Sequence, residues 1–392
     1  MEKNNFWWPL INDNITSDDK HKLVEFILTP DVRFTQHKNV RMFENKWSEW
    51  LGSKHTTFVN SGASANWIMA SALKDEVGTG EIILSPFGWV SDIVPFLELG
   101  FTPVFVDVNR ETMSIDASEV EKAITKDTKA ILAVHILGFN ALSEKLLDLC
   151  DRNSLMLIED CCEAHGATYK NKKVGTFGDM SNFSFYFGHH MTTIEGGAIS
   201  TNSDKIHDTV RMLRSHGMTR EASNETKEKY KKDYPHLNPL FTFAVPGYNV
   251  RSTELNAVIG LNQLKRLDNN ISIRTENLKV WLENLNSKKY QTDFITEGSS
   301  NFSLPLVLNK KDNILLDKVK DILNDKLVEY RLGTAGGGNQ SRQPYLKKFK
   351  EKYREYDMPN LNHIHEYGLY IGNHTEVTKE MILTLCGEIN DA

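Results

Sequence analysis

Apolar positions along the chain fall into short β-rich runs separated by amphipathic or helix-favouring stretches. The runs occupy residues 57–60, 82–85, 103–108, 130–135 and 155–159, and helix patterns lie between them at 63–73, 117–124 and 143–150. Parallel strands need a crossover, and helical crossovers cover both faces of the sheet. The alternation therefore predicts an α/β unit with a mainly parallel sheet. Residues 182–187 and 197–201 read as two further strands, so the large unit is expected to span 56–250. A long helix-favouring stretch, 251–285, opens with Ser252, Thr253 and Glu254 ahead of Leu255, Val258 and Leu261, a good capping pattern. It is expected to link the large unit to a smaller C-terminal one, 286–392, with a strand at 302–308, a helix at 315–323 and a Gly-rich stretch at 333–338. Residues 1–55 carry helix patterns and are expected to pack on the small unit. The charge-dense run 220–234 reads as a solvated loop or helix.

Composition narrows the function classes. With 40% hydrophobic and 25% charged residues, the 392-residue chain is neither disordered nor fibrous. Its net charge of −6, without a basic run, argues against nucleic-acid binding. No apolar stretch reaches the roughly 18–20 residues of a membrane helix, and the N-terminus does not read as a secretory signal. A cytoplasmic location is the expectation. Cys150, Cys161, Cys162 and Cys386 show no CxxC spacing, so reduced thiols are expected and no metal site.

Three segments carry candidate chemistry. Residues 60–66 (NSGASAN) end a β-run and open a helix; amides at a helix N-terminus, small Gly62 and Ala63 and the Ser64 hydroxyl make a phosphate cup, though Gly/Ser turns are common without one. Residues 157–165 (LIEDCCEAH) end a buried strand in Glu159 and Asp160. Strand carboxyl ends line the ligand crevice of open parallel sheets, and an acid there can pair with a cationic ring nitrogen or serve only as a cap or ion pair. Residues 184–197 (SFYFGHHMTTIEGG) run from a strand into a His-containing turn.

The ordered set NSGASAN, LIEDCCEAHGA, FSFYFGHHMTTIEGG and GYNVRSTELNAVIGLNQL resembles the fold-type I, pyridoxal-phosphate-dependent sugar aminotransferase family (DegT/DnrJ/EryC1/StrS). The likeness runs from about residue 58 to 264, with weaker echoes at RQPYL and GLYIGNH. It implies a mainly parallel seven-stranded-type sheet with a smaller C-terminal α/β domain. Where the family keeps a Lys that anchors its cofactor covalently, this chain has His189, followed by His190, and no Lys lies between Lys173 and Lys205. Imidazole forms no stable link to an aldehyde but still moves protons near its ordinary pKa of about 6.5.

The His-bearing branch that this resembles removes the C3 oxygen of GDP-4-keto-6-deoxy-D-mannose, toward 3,6-dideoxysugars of cell-surface polysaccharide. A second His-bearing branch uses an iron–sulfur cluster, and the four Cys here do not resemble its set. The resemblance implies pyridoxal 5'-phosphate and its pyridoxamine form as cofactor, L-glutamate as amino donor, a nucleotide-linked 4-keto-6-deoxysugar as substrate, and a homodimer with shared sites. It implies His189 as the proton carrier, Asp160 at the ring nitrogen, Glu163 near the ring hydroxyl and Trp89 on the ring face. Gly62, Ala63, Ser64 and Ser184 would hold the phosphate, with Asn249 reaching across to the partner's cofactor. Arg331, Arg342, His365 and Asn373 fall in the region that would face the sugar nucleotide, where GTAGGGNQSRQP departs from the branch. Two alternatives stay open: an ordinary aminotransferase with its Lys replaced, and a non-catalytic cofactor-binding protein.

Overall fold

A computed structural model describes residues 6–392. Seven strands of the large sheet come from residues 55–201: β1 (His55–Val59), β2 (Glu81–Leu84), β3 (Thr102–Phe105), β4 (Thr128–Val134), β5 (Met156–Asp160), β6 (Met180–Ser184) and β7 (Gly197–Thr201). The small sheet holds β8 (Ser303–Val307), β9 (Tyr330–Leu332) and β11 (Gly368–Gly372), while β10 (Arg354–Glu355) returns to the large sheet. The large sheet has eight strands, in the order β1-β7-β6-β5-β4-β2-β3-β10. Only β7 runs against its neighbours. The eighth strand is the departure from a seven-stranded expectation: the C-terminal unit lends Arg354 and Glu355 to the β3 edge. In the small sheet β11 lies between β8 and β9, antiparallel to both.

The helices that matter for the site are α1 (Ser17–Leu28), α2 (Lys38–Leu51), α3 (Gly62–Val77), α4 (Asp204–Arg214), α5 (Glu254–Gln263), α6 (Leu267–Asn284), α7 (Asn313–Asp325) and α8 (Lys379–Asn390). Strands β6 and β7 are buried at every position, as expected when helices cover both faces. Helix α3 packs over β6 and β7, and α6 joins β8 and α8.

Two expectations about domain organisation meet a different arrangement. The stretch 251–285 is two helices, broken by the turn Leu264–Arg266. The break lets Asn262, Gln263 and Arg266 converge on the buried Asp19 carboxylate. The N-terminal segment does not pack as one piece on the small unit. Buried Trp8 does, giving its indole N–H to the Gly372 carbonyl. Helices α1 and α2 instead lie on α5, and α2 also on β1. The reason is the apolar stripe Val40, Phe43, Trp47 and Leu51, whose rings meet Phe58, Phe183 and Phe185 of the large unit. The charge-dense run forms a helix, Asn224–Asp233, with no buried residue.

The Gly-rich stretch has a packing reason. Gly333, Gly336, Gly337 and Gly338 all have positive φ, and a Cβ on Gly336 would stand 2.0 Å from the Gly88 carbonyl oxygen. This loop docks on residues 86–88, where Gln340 N–H donates to the Pro86 carbonyl.

One buried ion pair joins α2, α4 and β1. Arg214 donates to the Glu44 carboxylate at 2.6 Å and to the Phe58 carbonyl at 2.9 Å, while Glu44 accepts the Phe58 N–H. Removing the cation leaves a carboxylate in a mostly buried place, which typically costs about 3–5 kcal/mol. Arg214→Met is therefore expected to lower the unfolding free energy by about that amount in urea titrations, with far-UV circular dichroism of the surviving folded fraction unchanged.

Candidate active site

The carboxyl ends of β4, β5 and β6 and the start of α3 surround a cavity of ≈ 290 Å³. Val134, Asp160 and Ser184, the last residues of the three strands, all line it. That is where an open parallel sheet leaves a crevice. Of the residues singled out from sequence, Gly62, Ala63, Trp89, Asp160, Glu163, Ser184 and His189 line this one cavity. Ser64 and Asn249 do not. The Ser64 hydroxyl is turned to Ser61 Oγ at 3.0 Å because Ser61 caps the helix, and Ser61 takes its place on the wall. Asn249 is exposed, in a bridge with Ser215.

The α3 end of the cavity is rich in donors. Ser61 is the N-cap, its Oγ accepting the Ser64 N–H at 3.0 Å, so the Gly62 and Ala63 amides have no acceptor within the helix. Gly62 is required here, since a Cβ would lie 2.7 Å from Ser184 Cβ and 3.1 Å from Cys162 Sγ.

Another part of the wall is acidic. Asp160 accepts the Cys162 N–H at 2.9 Å and the Asn182 side-chain amide at 2.9 Å. Glu163 accepts the Leu137 N–H at 2.8 Å; burial, with the Asp160 charge adding, pushes its carboxyl up to about 7. Trp89 stands on the wall with 55% of its surface exposed, the behaviour of a ring that waits for a partner rather than a core residue. Glu159, the neighbour of Asp160, is structural. Three backbone amides, of Gly175, Phe177 and Gly178, and the His135 imidazole hold it. Burial pushes its carboxyl up, but these bonds outweigh that and hold it below the usual range. Glu159, His135 and Cys161 lie close enough to suggest a metal cluster, but the imidazole and carboxylate are engaged with each other and with backbone.

His189 follows the turn whose closing bond runs from its N–H to the Tyr186 carbonyl. Its Nδ1 is enclosed and makes no hydrogen bond, which leaves Nε2 as the accessible ring nitrogen. Burial lowers the imidazole to about 4; the Asp160 charge pulls it up, and the Arg274 charge pushes it further down. Arg274 is buried and reaches no carboxylate among the described residues, donating instead to the Phe302 carbonyl at 2.9 Å and the His189 carbonyl at 3.4 Å. His190 points the other way: its Nε2 lies 3.1 Å from the Ser300 carbonyl, fully buried. That is an orienting role. Among the described residues no lysine lines the cavity.

Asp92 lines the cavity and lies outside every motif. Cys162, Tyr186 and Glu195 also line the cavity; they fall within the quoted motifs, but no site role follows for them from the sequence. Asn373 holds the Arg274 and Asn301 carbonyls, and His365 accepts the Asn339 N–H, so both are structural. Arg331 and Arg342 are exposed and paired with Glu329 and Glu366.

A scan against family models matches residues 15–390 to the DegT/DnrJ/EryC1/StrS aminotransferase family. The chain belongs to that family. It is 32% identical over 366 residues to the GDP-4-keto-6-deoxy-D-mannose 3-dehydratase of Escherichia coli, covering 92% of this chain and 94% of that protein. A solved structure of the E. coli enzyme with bound hydrated pyridoxal phosphate superposes with a TM-score of 0.87 at 28% identity, covering 98% of this chain and 99% of the other. A second structure of a GDP-4-keto-6-deoxymannose 3-dehydratase, with a trapped PLP-glutamate geminal diamine, gives 0.86 at 28% identity, covering 97% of this chain and all of the other. The architecture is thus that of the pyridoxal-phosphate-dependent aminotransferase fold.

The buried imidazole makes a pH prediction. A His whose folded pKa is depressed supplies stability that is present above the unfolded pKa of about 6.5 and lost as pH falls toward the folded value. Unfolding free energy is expected to drop between about pH 6.5 and about pH 4, with His189 contributing up to about 3 kcal/mol of the fall. Urea titrations of wild type and His189→Asn across that window check it: the variant should show the shallower decline.

Proposed function

We propose that this chain is a pyridoxal-phosphate- and glutamate-dependent 3-dehydratase of a GDP-linked 4-keto-6-deoxysugar. The observation that carries this reading is a cavity of cofactor size with His189 on its wall and no lysine. Family membership supplies the reaction class, and the 3-dehydratase relatives supply the sugar.

The residues present fit the cofactor. The free Gly62 and Ala63 amides at the α3 N-terminus, with the Ser184 hydroxyl, would take its phosphate. Asp160 would accept the protonated ring nitrogen, Glu163 would meet the ring hydroxyl, and Trp89 would cover the ring face. When bound, the cofactor supplies the electron sink for breaking bonds next to the sugar's C4.

The protein's task is proton movement. His189, neutral at working pH, takes up a proton at its accessible nitrogen and delivers it to the departing C3 hydroxyl. Burial keeps the imidazole uncharged, the form a base needs, and Arg274, which also holds the His189 carbonyl, adds to that. No outside reductant is required: glutamate is oxidised to 2-oxoglutarate and ammonia while the sugar loses one oxygen.

A homodimer is part of the proposal. Leu240, Phe241 and Phe243 are each more than half exposed on one loop, and Tyr186 and Phe187 are exposed at the cavity turn. Asn249, on the same stretch as the exposed loop, would then reach the partner's cofactor. Light scattering should return twice the monomer mass.

The test uses GDP-4-keto-6-deoxy-D-mannose, glutamate and pyridoxal phosphate. Wild type should release ammonia and a product lighter by one oxygen, and borohydride should attach no cofactor to the chain. His189→Asn should slow deoxygenation by about 10²–10⁴-fold. An aminosugar product would make the chain an aminotransferase, and cofactor binding without turnover of any 4-keto sugar would make it a binding protein.

A further inference from the structure

Asp92 closes the short turn Val90–Asp92 behind Trp89, and nothing in the sequence pattern marks it. It lines the cavity beside Asp160, and the two carboxyls are 3% and 5% exposed. One side-chain amide touches both: Asn66 Nδ2 donates to Asp92 Oδ1 at 2.9 Å and to Asp160 Oδ2 at 3.2 Å. The orientation of that amide is fixed, because Asn66 Oδ1 accepts from Asn182 Nδ2 at 2.9 Å, and the same Asn182 nitrogen also reaches Asp160 Oδ2 at 2.9 Å. Trp89 N–H donates to Asp92 Oδ2 at 2.8 Å, so the turn holds Asp92 in place.

The groups facing Asp92 are Asp160, Glu163, the Cys162 thiol and the Tyr345 phenol, all acids, and no cation stands among them. Two buried carboxyls sharing one neutral amide cannot both ionise.

We propose that Asp92 is a positioning residue: it keeps its proton at neutral pH and, with Asn66 and Asn182, fixes the Asp160 carboxyl group that would receive the cofactor's ring nitrogen. The final clause rests on the cofactor reading above, while the retained proton does not. Burial, with the Asp160 charge adding, holds the Asp92 carboxyl well above the usual carboxylate range.

Infrared difference spectra of the cofactor-free protein, with and without ¹³C-labelled aspartate, test the proton directly. At about pH 7.5 a protonated-carboxyl band that shifts with aspartate labelling is expected, since unperturbed aspartates ionise near 3.9. Asp92→Asn should abolish it. No aspartate-derived band, or a band that survives Asp92→Asn, overturns the proposal. Stability gives a second readout. An acid with a raised folded pKa stabilises below its unfolded pKa and loses that contribution as pH rises through the folded value. Between about pH 4 and pH 8 the wild type should therefore lose more stability than Asp92→Asn. For positioning, Asp92→Ala should weaken pyridoxal phosphate binding about tenfold. It should also lower the ring-protonated fraction seen in the bound cofactor's absorption spectrum. Unchanged binding and spectrum would reduce Asp92 to a structural acid. If the aspartate band behaves as expected but pyridoxal phosphate does not bind the wild type, the retained proton stands and the cofactor reading falls.

Discussion

An imidazole that must remain uncharged beside a carboxylate is the constraint around which the cavity is built. The Asp160 charge acts to protonate His189, and burial and the Arg274 cation oppose it. Arg274 can do this because it spends its hydrogen bonds on two carbonyls, those of Phe302 and His189, instead of on an acid. A carboxylate at its side would cancel its field. The guanidinium thus holds the backbone of the His turn and adds to the burial that keeps its ring uncharged. His190, turned to Ser300, and Asn270, donating to the His190 carbonyl, secure the same turn from the far side. A Lys needs no such arrangement, because a covalent link would hold it in register.

The cavity is also polarised along its length. Free amides and the positive end of α3 line one part of the wall, and Asp92, Asp160 and Glu163 line another. A ligand that is anionic at one end and cationic at the other is complementary to that axis, and its mirror arrangement is repelled. The strand order produces the polarity: β1 feeds the helix N-terminus, and β5 ends in the acid, with β7 and β6 between them. The antiparallel β7 lets Gly197 pass close to Ser61, where a Cβ would stand 2.3 Å from the carbonyl. The cap of α3 is therefore seated on the strand next to it.

The parts legible in the sequence were those that repeat a local rule. Strand β7 lies where its pattern put it, and β1, β2 and β4 to β6 moved by a few residues, because a short continuous apolar run is a local signal. The motif residues reached one cavity because each ends a strand or opens a helix. What stayed hidden was set by contacts distant in sequence. The break at Leu264–Arg266 answers to Asp19, more than two hundred residues away, and α2 chose the large unit because of rings on β1 and β6. Asp92 was invisible because its role comes from Asn66 and Asp160, which no spacing connects to it. Ser64 misled because a hydroxyl at the third helical position looks free in sequence, yet its N-cap neighbour claims it.

The Gly-rich run at 333–338 shows how the C-terminal unit reaches the chemistry without lining the cavity. It lies behind the segment carrying Trp89 and Asp92, with Gly336 against the Gly88 carbonyl, Asn339 bridged to Phe87 and Gln340 bonded to Pro86. A side chain at 336 would push Gly88 inward, and Gly88 has no slack, since its own Cβ position lies 2.5 Å from Asp92 Oδ2. Displacement at the loop would thus pass through two backbone contacts to the acid pair and the indole. The sequence GTAGGGNQ departs from the branch pattern at the place where this chain needs close backbone approach. There it supports the cavity wall that carries Trp89 and Asp92.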